Sequence, residues 1–162
     1  MKVIIFGDDD KISNNVMSQL LGLQMRTNSF WKYDSLIRGI LEIQTCGLIT
    51  KDNQDVIYSS FVHNSKNDKL FFLHIIDPFN VKPKDFNVLS TLTTKFKTKI
   101  DDYYYIAFVA RHDEISKVEE ALENKTLTHF KNICLDKFFI FDLDYKFCDS
   151  NRLSFFSKLK KK

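Results

Sequence analysis

The chain has 162 residues, of which 44% are hydrophobic and 14% aromatic, so it can bury the core of one domain and is not intrinsically disordered. Only four glycines and two prolines occur, which excludes collagen-like and flexible low-complexity sequences. With 24 basic and 21 acidic residues, the net charge of +3 does not by itself indicate nucleic-acid binding.

The sequence indicates neither disulfides, nor a zinc site, nor a membrane span. Cys46, Cys134 and Cys148 form no CxxC pair and have no regular spacing, which is typical of reduced thiols. The longest apolar stretch, residues 103–110, is far shorter than the roughly 18 residues that cross a bilayer. We therefore expect a soluble intracellular protein with no membrane partner.

The beginning of the chain predicts a helix. Ser13 is a suitable N-cap, and Ile12 and Met17 occupy the two positions of a hydrophobic staple. Apolar residues then recur at helical spacing to about Met25, where the helix is expected to end.

The middle of the chain predicts five strands. A glycine inside the first, Gly47, marks a bend, and Pro78 ends the third because proline cannot donate to the sheet. A short helix is the alternative for the fourth. In chain order the predicted strands are residues 40–50, 56–62, 69–76, 86–96 and 103–111.

A second helix is predicted to follow Asp113 and to end at about Lys125. Glu114 lies in its first turn, where the helix dipole favours a negative charge. One apolar stripe, at the spacing i, i+3 and i+7, is formed by Ile115, Val118 and Leu122.

The order helix, five short strands, helix predicts a mainly β fold. Short strands without long helical crossovers pair antiparallel, and closing the sheet removes its edges, so we expect a five-stranded antiparallel OB-fold barrel over about residues 40–111. The C-terminal helix at 113–125 and a C-terminal extension at 127–162 complete a single domain. An SH3-like barrel or an irregular sandwich is left open.

No arrangement of residues predicts catalysis. Asp34, Glu42 and Gln44 only partly follow the acidic metal site of nucleases, since Gln44 replaces the expected lysine. Gly7 ends an apolar opening, yet the other glycines of a phosphate-binding loop are missing and the three aspartates that follow would repel phosphate. The four histidines show neither the HxH nor the HxxxH spacing of metal ligands; they are His63, His74, His112 and His129. We expect no catalytic residue, metal or cofactor, and His74 as a hydrogen-bonded core residue.

Basic and aromatic residues after the predicted fourth strand form a candidate nucleic-acid surface. In an OB barrel this connection flanks the groove for a single strand. The adjacent Asp101 and Asp102 oppose tight binding by the chain alone. The surface consists of Lys95, Phe96, Lys97 and Lys99, with Tyr58 on the second strand as a platform for base stacking.

Three segments resemble the smallest, Ten-type OB subunit of the telomeric CST complex: residues 43–48 (IQTCGL), 73–79 (LHIIDPF) and 105–125. The similar features are a first strand that turns at Gly47, a third strand closed by Asp-Pro-Phe, and a last strand that runs into an acidic amphipathic helix. The size and the composition rich in Lys, Asn and Phe are similar to the telomerase-associated version of that subunit.

The resemblance implies a non-catalytic nuclear subunit that pairs with a larger, Stn-type OB subunit at single-stranded telomeric DNA. The telomerase holoenzyme and polymerase alpha–primase would be indirect partners. It also implies that Ile115, Val118 and Leu122 contact the partner and that the lysines of the candidate nucleic-acid surface contact DNA. The alternatives are a stand-alone OB protein that binds single-stranded nucleic acid, a replication protein A-like small subunit and, third, a metal nuclease.

Both ends of the chain extend beyond a compact OB domain. Residues 138–145 alternate between apolar and polar types, and we expect residues 138–143 to pair with residues 2–6 in an accessory sheet. The closing lysines are expected to be solvated.

Overall fold

The computed structural model describes residues 2–21, 30–35, 39–55, 58–59, 70–96, 103–123, 125–134, 137–144 and 155–157. The strands in these ranges are β1 (Lys2–Gly7), β2 (Phe30–Ser35), β3 (Gly39–Gly47), β4 (Leu70–Ile76), β5 (Tyr104–Ala110) and β6 (Phe138–Asp142). The longer helices are α1 (Asp10–Leu21), α2 (Val88–Phe96), α3 (Ile115–Glu123) and α4 (Lys125–Cys134). Two 3-10 turns cover Pro83–Asn87 and His112–Glu114.

All six strands belong to one sheet, in the order β2-β3-β1-β4-β5-β6. Five of them, from β3 to β6 across the sheet, run parallel, and β2 is added antiparallel to β3 at one edge. In the register, Ile5 of β1 lies opposite Thr45 of β3 and Leu73 of β4.

The central strand β1 explains why the sheet is parallel. All six of its residues are buried, from Lys2 to Gly7, as are all seven residues of β5 and six of the seven of β4. Strands that are buried on both faces are continuous apolar runs, and such strands occur in parallel sheets with helices on both sides.

Helices cover both faces of the sheet. One face packs Phe6, Phe72 and Phe108 beneath α2, α3 and α4. The opposite face packs Ile5 and Leu73 beneath α1 and a helical turn at residues 155–157. The result is an α/β fold of three layers. No helix of the described segments is long and apolar enough to cross a bilayer.

The expected five-stranded antiparallel OB barrel is therefore wrong. The apolar runs at residues 70–76 and 104–110 are central strands of an open sheet, not staves of a barrel. The expectation depended on the absence of helical crossovers, yet α2 connects β4 to β5, and α3 and α4 connect β5 to β6.

The segment predicted as the fourth strand forms the helix α2 instead. A short helix was the alternative prediction for this segment. Val88, Thr91 and Leu92 are buried at the helical spacing i, i+3 and i+4. Thr93 and Thr94 satisfy their hydroxyls within the helix by donating to the carbonyls four residues earlier. Threonine is common in strands, but this back-bonding makes it compatible with a helix.

Other local predictions have mixed outcomes. Strands close to those observed as β3, β4 and β5, and the helix α3, are confirmed. The strand predicted at 56–62 is wrong where it is described, since residues 58 and 59 are helical. The accessory sheet is also wrong, because β1 pairs with β3 and β4 whereas β6 pairs with β5.

Phe155 is expected to be one of the costliest side chains to truncate. It is fully buried, with its ring centroid 5.3 Å from that of Phe139 and 6.1 Å from that of Tyr105. Phe155→Ala should lower the free energy of unfolding in urea by about 3–5 kcal/mol. The same substitution at Phe79, which is 48% exposed, is the matched control and should cost less than about 1 kcal/mol. Equal effects would show that Phe155 does not cover the sheet.

Candidate functional site at the carboxyl edge of the sheet

The strand order creates a topological switch point between β1 and β4. After β1 the chain continues to β3 on one side, and it then crosses to β4 on the other side. The connections that follow β1 and β4 therefore leave in opposite directions and open a crevice at the carboxyl ends of the strands. Open α/β sheets bind ligands at this position.

A cavity of about 170 Å³ occupies this crevice. It is lined by three aliphatic residues, four aspartates, one asparagine and one lysine. The lining residues are Asp8, Asp9, Ile12, Ile75, Asp77, Asn80, Lys82, Asp85 and Val109.

The N-terminus of α1 is capped by the chain's own carboxylate. Asp9 Oδ1 accepts hydrogen bonds from the backbone N–H of Lys11 at 2.8 Å and of Ile12 at 3.2 Å. Asp9 is therefore the N-cap, and the prediction of Ser13 is wrong: its backbone N–H donates to the carbonyl of Asp9, which places Ser13 in the first turn. Aspartate is a favoured N-cap residue, so the sequence contained this signal.

The connection between β1 and α1 is short. Only Asp8 and Asp9 separate Gly7, the last residue of β1, from Asp10, the first of α1. A Cβ atom at Gly7 would lie 3.0 Å from the Cβ of Ile75 on the neighbouring strand. Close contact between strands therefore accounts for this glycine.

Asp8 links this connection to the connection that follows β4. Lys82 Nζ lies 2.5 Å from Asp8 Oδ2, and Lys84 Nζ contacts Asp8 Oδ1. Partial burial by itself would raise the pKa of Asp8, but the hydrogen bonds from the two lysines outweigh it and lower that pKa.

A buried polar network lies behind the cavity. His74 is completely buried, its ring stacks on Phe6 with the centroids 4.8 Å apart, and its Nδ1 lies 2.6 Å from the Tyr104 hydroxyl. When Tyr104 donates to Nδ1, the proton of the neutral imidazole is on Nε2 and faces Asp85 Oδ1 at 3.5 Å. Asp85 Oδ2 accepts the backbone N–H of Lys82 at 2.8 Å and so orders the 3-10 turn. The prediction of His74 as a hydrogen-bonded core residue is confirmed.

A second His–Asp contact joins the carboxyl ends of β5 and β6. His112 Nδ1 lies 2.6 Å from Asp142 Oδ2, and the His112 backbone N–H donates to Asp144 Oδ2 at 2.9 Å. Sequence reasoning missed this pair because its members are 30 residues apart. Across the residues that the structure describes, no three His, Cys, Asp or Glu side chains form a group that could hold a metal ion.

The residues predicted as a partner contact lie on α3 against the sheet. Val118 is fully buried and Leu122 is 6% exposed, both in the core cluster beneath the helices. Ile115 is partly buried and packs against the same cluster. The structure therefore shows this stripe packed on the chain's own core.

The predicted nucleic-acid surface is described only in part. Lys95 Nζ forms an ion pair with Asp55 and lies 5.0 Å from the centroid of the Tyr58 ring, so two of the predicted residues do meet. Phe96 is the last residue of α2. Lys97 and Lys99 lie outside the described residues.

The residues of the nuclease alternative lie on β2 and β3. In the register of this antiparallel pair, Asp34 is opposite Ile40 and Glu42 is opposite Lys32. Gln44 lies on β3 opposite Phe30. Asp34 and Glu42 are thus on different strands at different register positions.

No protein-family model matches the chain, and no curated protein matches it. Solved structures do resemble it. The FeoB G-domain from Methanococcus jannaschii has a TM-score of 0.60 at 10% identity, over 99% of this chain and 94% of that one. The probable GTP-binding protein engB has 0.56 at 14%, over the whole of both chains. Era from Aquifex aeolicus, bound to GDP.AlF4-, has 0.60 at 12%, over 98% of this chain and 56% of that one.

These similarities correct the family expected from the sequence. The chain has the fold of GTP-binding domains, and neither its sheet nor its structural neighbours support a Ten-type OB subunit. The expected role in a CST-like complex is therefore wrong. The expected partners are wrong for the same reason: a Stn-type subunit, the telomerase holoenzyme, polymerase alpha–primase and telomeric DNA. The nuclear location, which depended on the same resemblance, is untested. The neighbours include GTPases, a class of enzymes, so they do not support the expectation of a non-enzyme; at 10–16% identity they establish the fold alone.

The buried His74 predicts that stability falls in mild acid. Burial lowers its pKa below the ordinary 6.5, although the nearby Asp85 opposes this. As the pH falls below about 6.5 the unfolded chain binds a proton that the folded chain does not, so the free energy of unfolding falls by up to about 1.4 kcal/mol per pH unit.

Urea unfolding between pH 7.5 and 5.5 measures this dependence above the range in which carboxylates titrate. His74→Gln should reduce the pH dependence, whereas His129→Gln, at an exposed position, should leave it unchanged. The same pH dependence in wild type and His74→Gln would contradict the assignment.

Proposed function

We propose that this chain is a protein-binding module with a GTPase-type fold and that it acts without a bound guanine nucleotide. One observation carries the proposal: Asp9 Oδ1 accepts the backbone N–H groups at the N-terminus of α1. In the P-loop these groups bind phosphate. Here a carboxylate already uses them, so the helix dipole is neutralised within the chain.

The side chains of a nucleotide site are also missing from the connection after β1. A P-loop has the pattern GxxxxGK[ST], in which the lysine contacts the phosphates and the hydroxyl binds Mg²⁺. Counted from Gly7, the last three positions are Ile12, Ser13 and Asn14. Asn14 Oδ1 accepts a hydrogen bond from the Thr45 hydroxyl at 3.3 Å and is used internally. The residues therefore do not fit GTP and Mg²⁺, and the expectation of a non-catalytic protein is retained as part of this proposal.

The protein-binding role is supported by exposed aromatic side chains. Phe79 is 48% and Phe86 39% exposed, and they are the large hydrophobic residues exposed among the described side chains. Both lie on the connection from β4 to α2, next to the cavity that includes Asn80 and Lys82. Exposed aromatic residues on one connection are typical of an interaction surface.

Guanine-nucleotide binding is the second candidate function, and the similarity to GTP-binding structures favours it. It requires the β1–α1 connection to rearrange, with Asp9 leaving the helix N-terminus. Hydrolysis would in addition require a lysine and a metal-binding hydroxyl from outside this connection.

Titration with a fluorescent GTP analogue in the presence of Mg²⁺ distinguishes the two functions. We expect no saturable binding up to 1 mM analogue and no shift of the melting temperature. A ligand at 100 times its Kd would stabilise the folded chain by about 2.7 kcal/mol, which is easily detected. Saturable binding accompanied by such a shift would favour the second candidate.

The aromatic surface predicts a separation of binding from folding. Phe79→Ser combined with Phe86→Ser should leave the melting temperature within a few degrees of wild type, since both rings are partly exposed. Proteins that cross-link to wild type in cells of the source organism should be lost from this variant by quantitative mass spectrometry. Lys117→Ser combined with Glu120→Ser, at exposed positions on α3, is the matched control. Retention of all cross-linked proteins by the aromatic variant would contradict this surface.

A further inference from the structure

Asp8 is bound in the way that an external anion would be. Its two carboxylate oxygens are divided between Lys82 and Lys84, which approach from a connection more than 70 residues later in the chain. The carboxyl edge of β1, where Asp8 lies, borders the crevice in which α/β folds hold ligands. The three side chains are between a quarter and half exposed.

The charges of the crevice explain why an internal anion is favoured there. Asp8, Asp9, Asp77 and Asp85 line it together with Lys82, and Lys84 contacts it through Asp8. With four negative and two positive groups, a phosphate would enter a region that is already negative. Asp8 already belongs to the chain, so its pairing with the two lysines brings no further negative charge into the crevice.

We propose that Asp8 is an internal anionic ligand that tethers the connection after β4 to the connection after β1. The proposal rests on the proposed function, because a bound nucleotide would occupy the same edge of the sheet. The tether includes Lys82, whose backbone N–H is held by Asp85, and it orders the segment that carries Phe79 and Phe86. It therefore fixes the position of the proposed interaction surface relative to the β1–α1 connection.

Amide hydrogen exchange tests the tether directly. In Asp8→Asn, the exchange rates of amides in residues 79–87 should rise roughly 3- to 10-fold, the effect expected from the loss of exposed ion pairs. Asp55→Asn removes another lysine–aspartate pair, that with Lys95, and should not change residues 79–87. Lys82→Gln combined with Lys84→Gln removes the same ion pairs from the lysine side and should raise the exchange rates of residues 79–87 to the same extent. This second variant is the control for effects specific to the Asp8 substitution.

Salt provides a readout that a purely steric role for Asp8 would not affect. Raising NaCl from 50 mM to 1 M should increase exchange at residues 79–87 in wild type and should change it little in Asp8→Asn, because screening weakens the ion pairs. Equal salt dependence in the two proteins, or unchanged exchange in Asp8→Asn, overturns the proposal.

Inorganic pyrophosphate tests whether an external anion takes the place of Asp8. Added at 5 mM to wild type, it should neither bind nor protect residues 79–87. Protection by pyrophosphate that is lost in the Lys82→Gln and Lys84→Gln variant would overturn the internal-ligand proposal. If a GTP analogue binds wild type while the exchange results are as expected, only the proposed function fails.

Discussion

The structure depends on the burial of β1 between two parallel neighbours. All six residues of this strand are removed from solvent, and its backbone pairs with β3 on one side and β4 on the other. A strand in this position requires helices on both faces, which α1 and the group of α2, α3 and α4 provide. The same arrangement makes the connections that follow β1 and β4 leave in opposite directions, and so it also places the candidate site.

At that edge two carboxylates of the chain pair with positive groups of the chain itself. The positive end of α1 is neutralised by Asp9, and Asp8 is paired with lysines from the next connection. GTP-binding domains of this fold meet the corresponding requirements with phosphate and metal. Here Asp9 accepts two backbone N–H groups at the N-terminus of α1, and Asp8 pairs with Lys82 and Lys84. In the proposed function, these carboxylates of the chain take the place that a nucleotide would have in this fold.

The sequence predicted individual elements better than their arrangement. The apolar runs that form β4 and β5 and the stripe of α3 are local patterns, and they were found close to their observed bounds. A continuous apolar run does not specify whether the neighbouring strands are parallel or antiparallel. The threonines of α2 are residues typical of strands, so this helix was predicted as a strand. The Asp8–Lys82 contact joins residues 74 positions apart, so no local pattern could reveal it. The missing glycines and the aspartates after Gly7, however, are visible in the sequence, and the proposal of a chain without a bound nucleotide depends on them.

The position of Phe155 has a consequence for the nascent chain. This ring completes the aromatic cluster over Tyr105 and Phe139, yet it follows every described strand in the order of synthesis. At a translation rate of about 5–20 residues per second, the apolar surface of Tyr105 and Phe139 stays uncovered for several seconds until Phe155 has been synthesised. During that interval the exposed apolar surface makes the incomplete domain prone to aggregation.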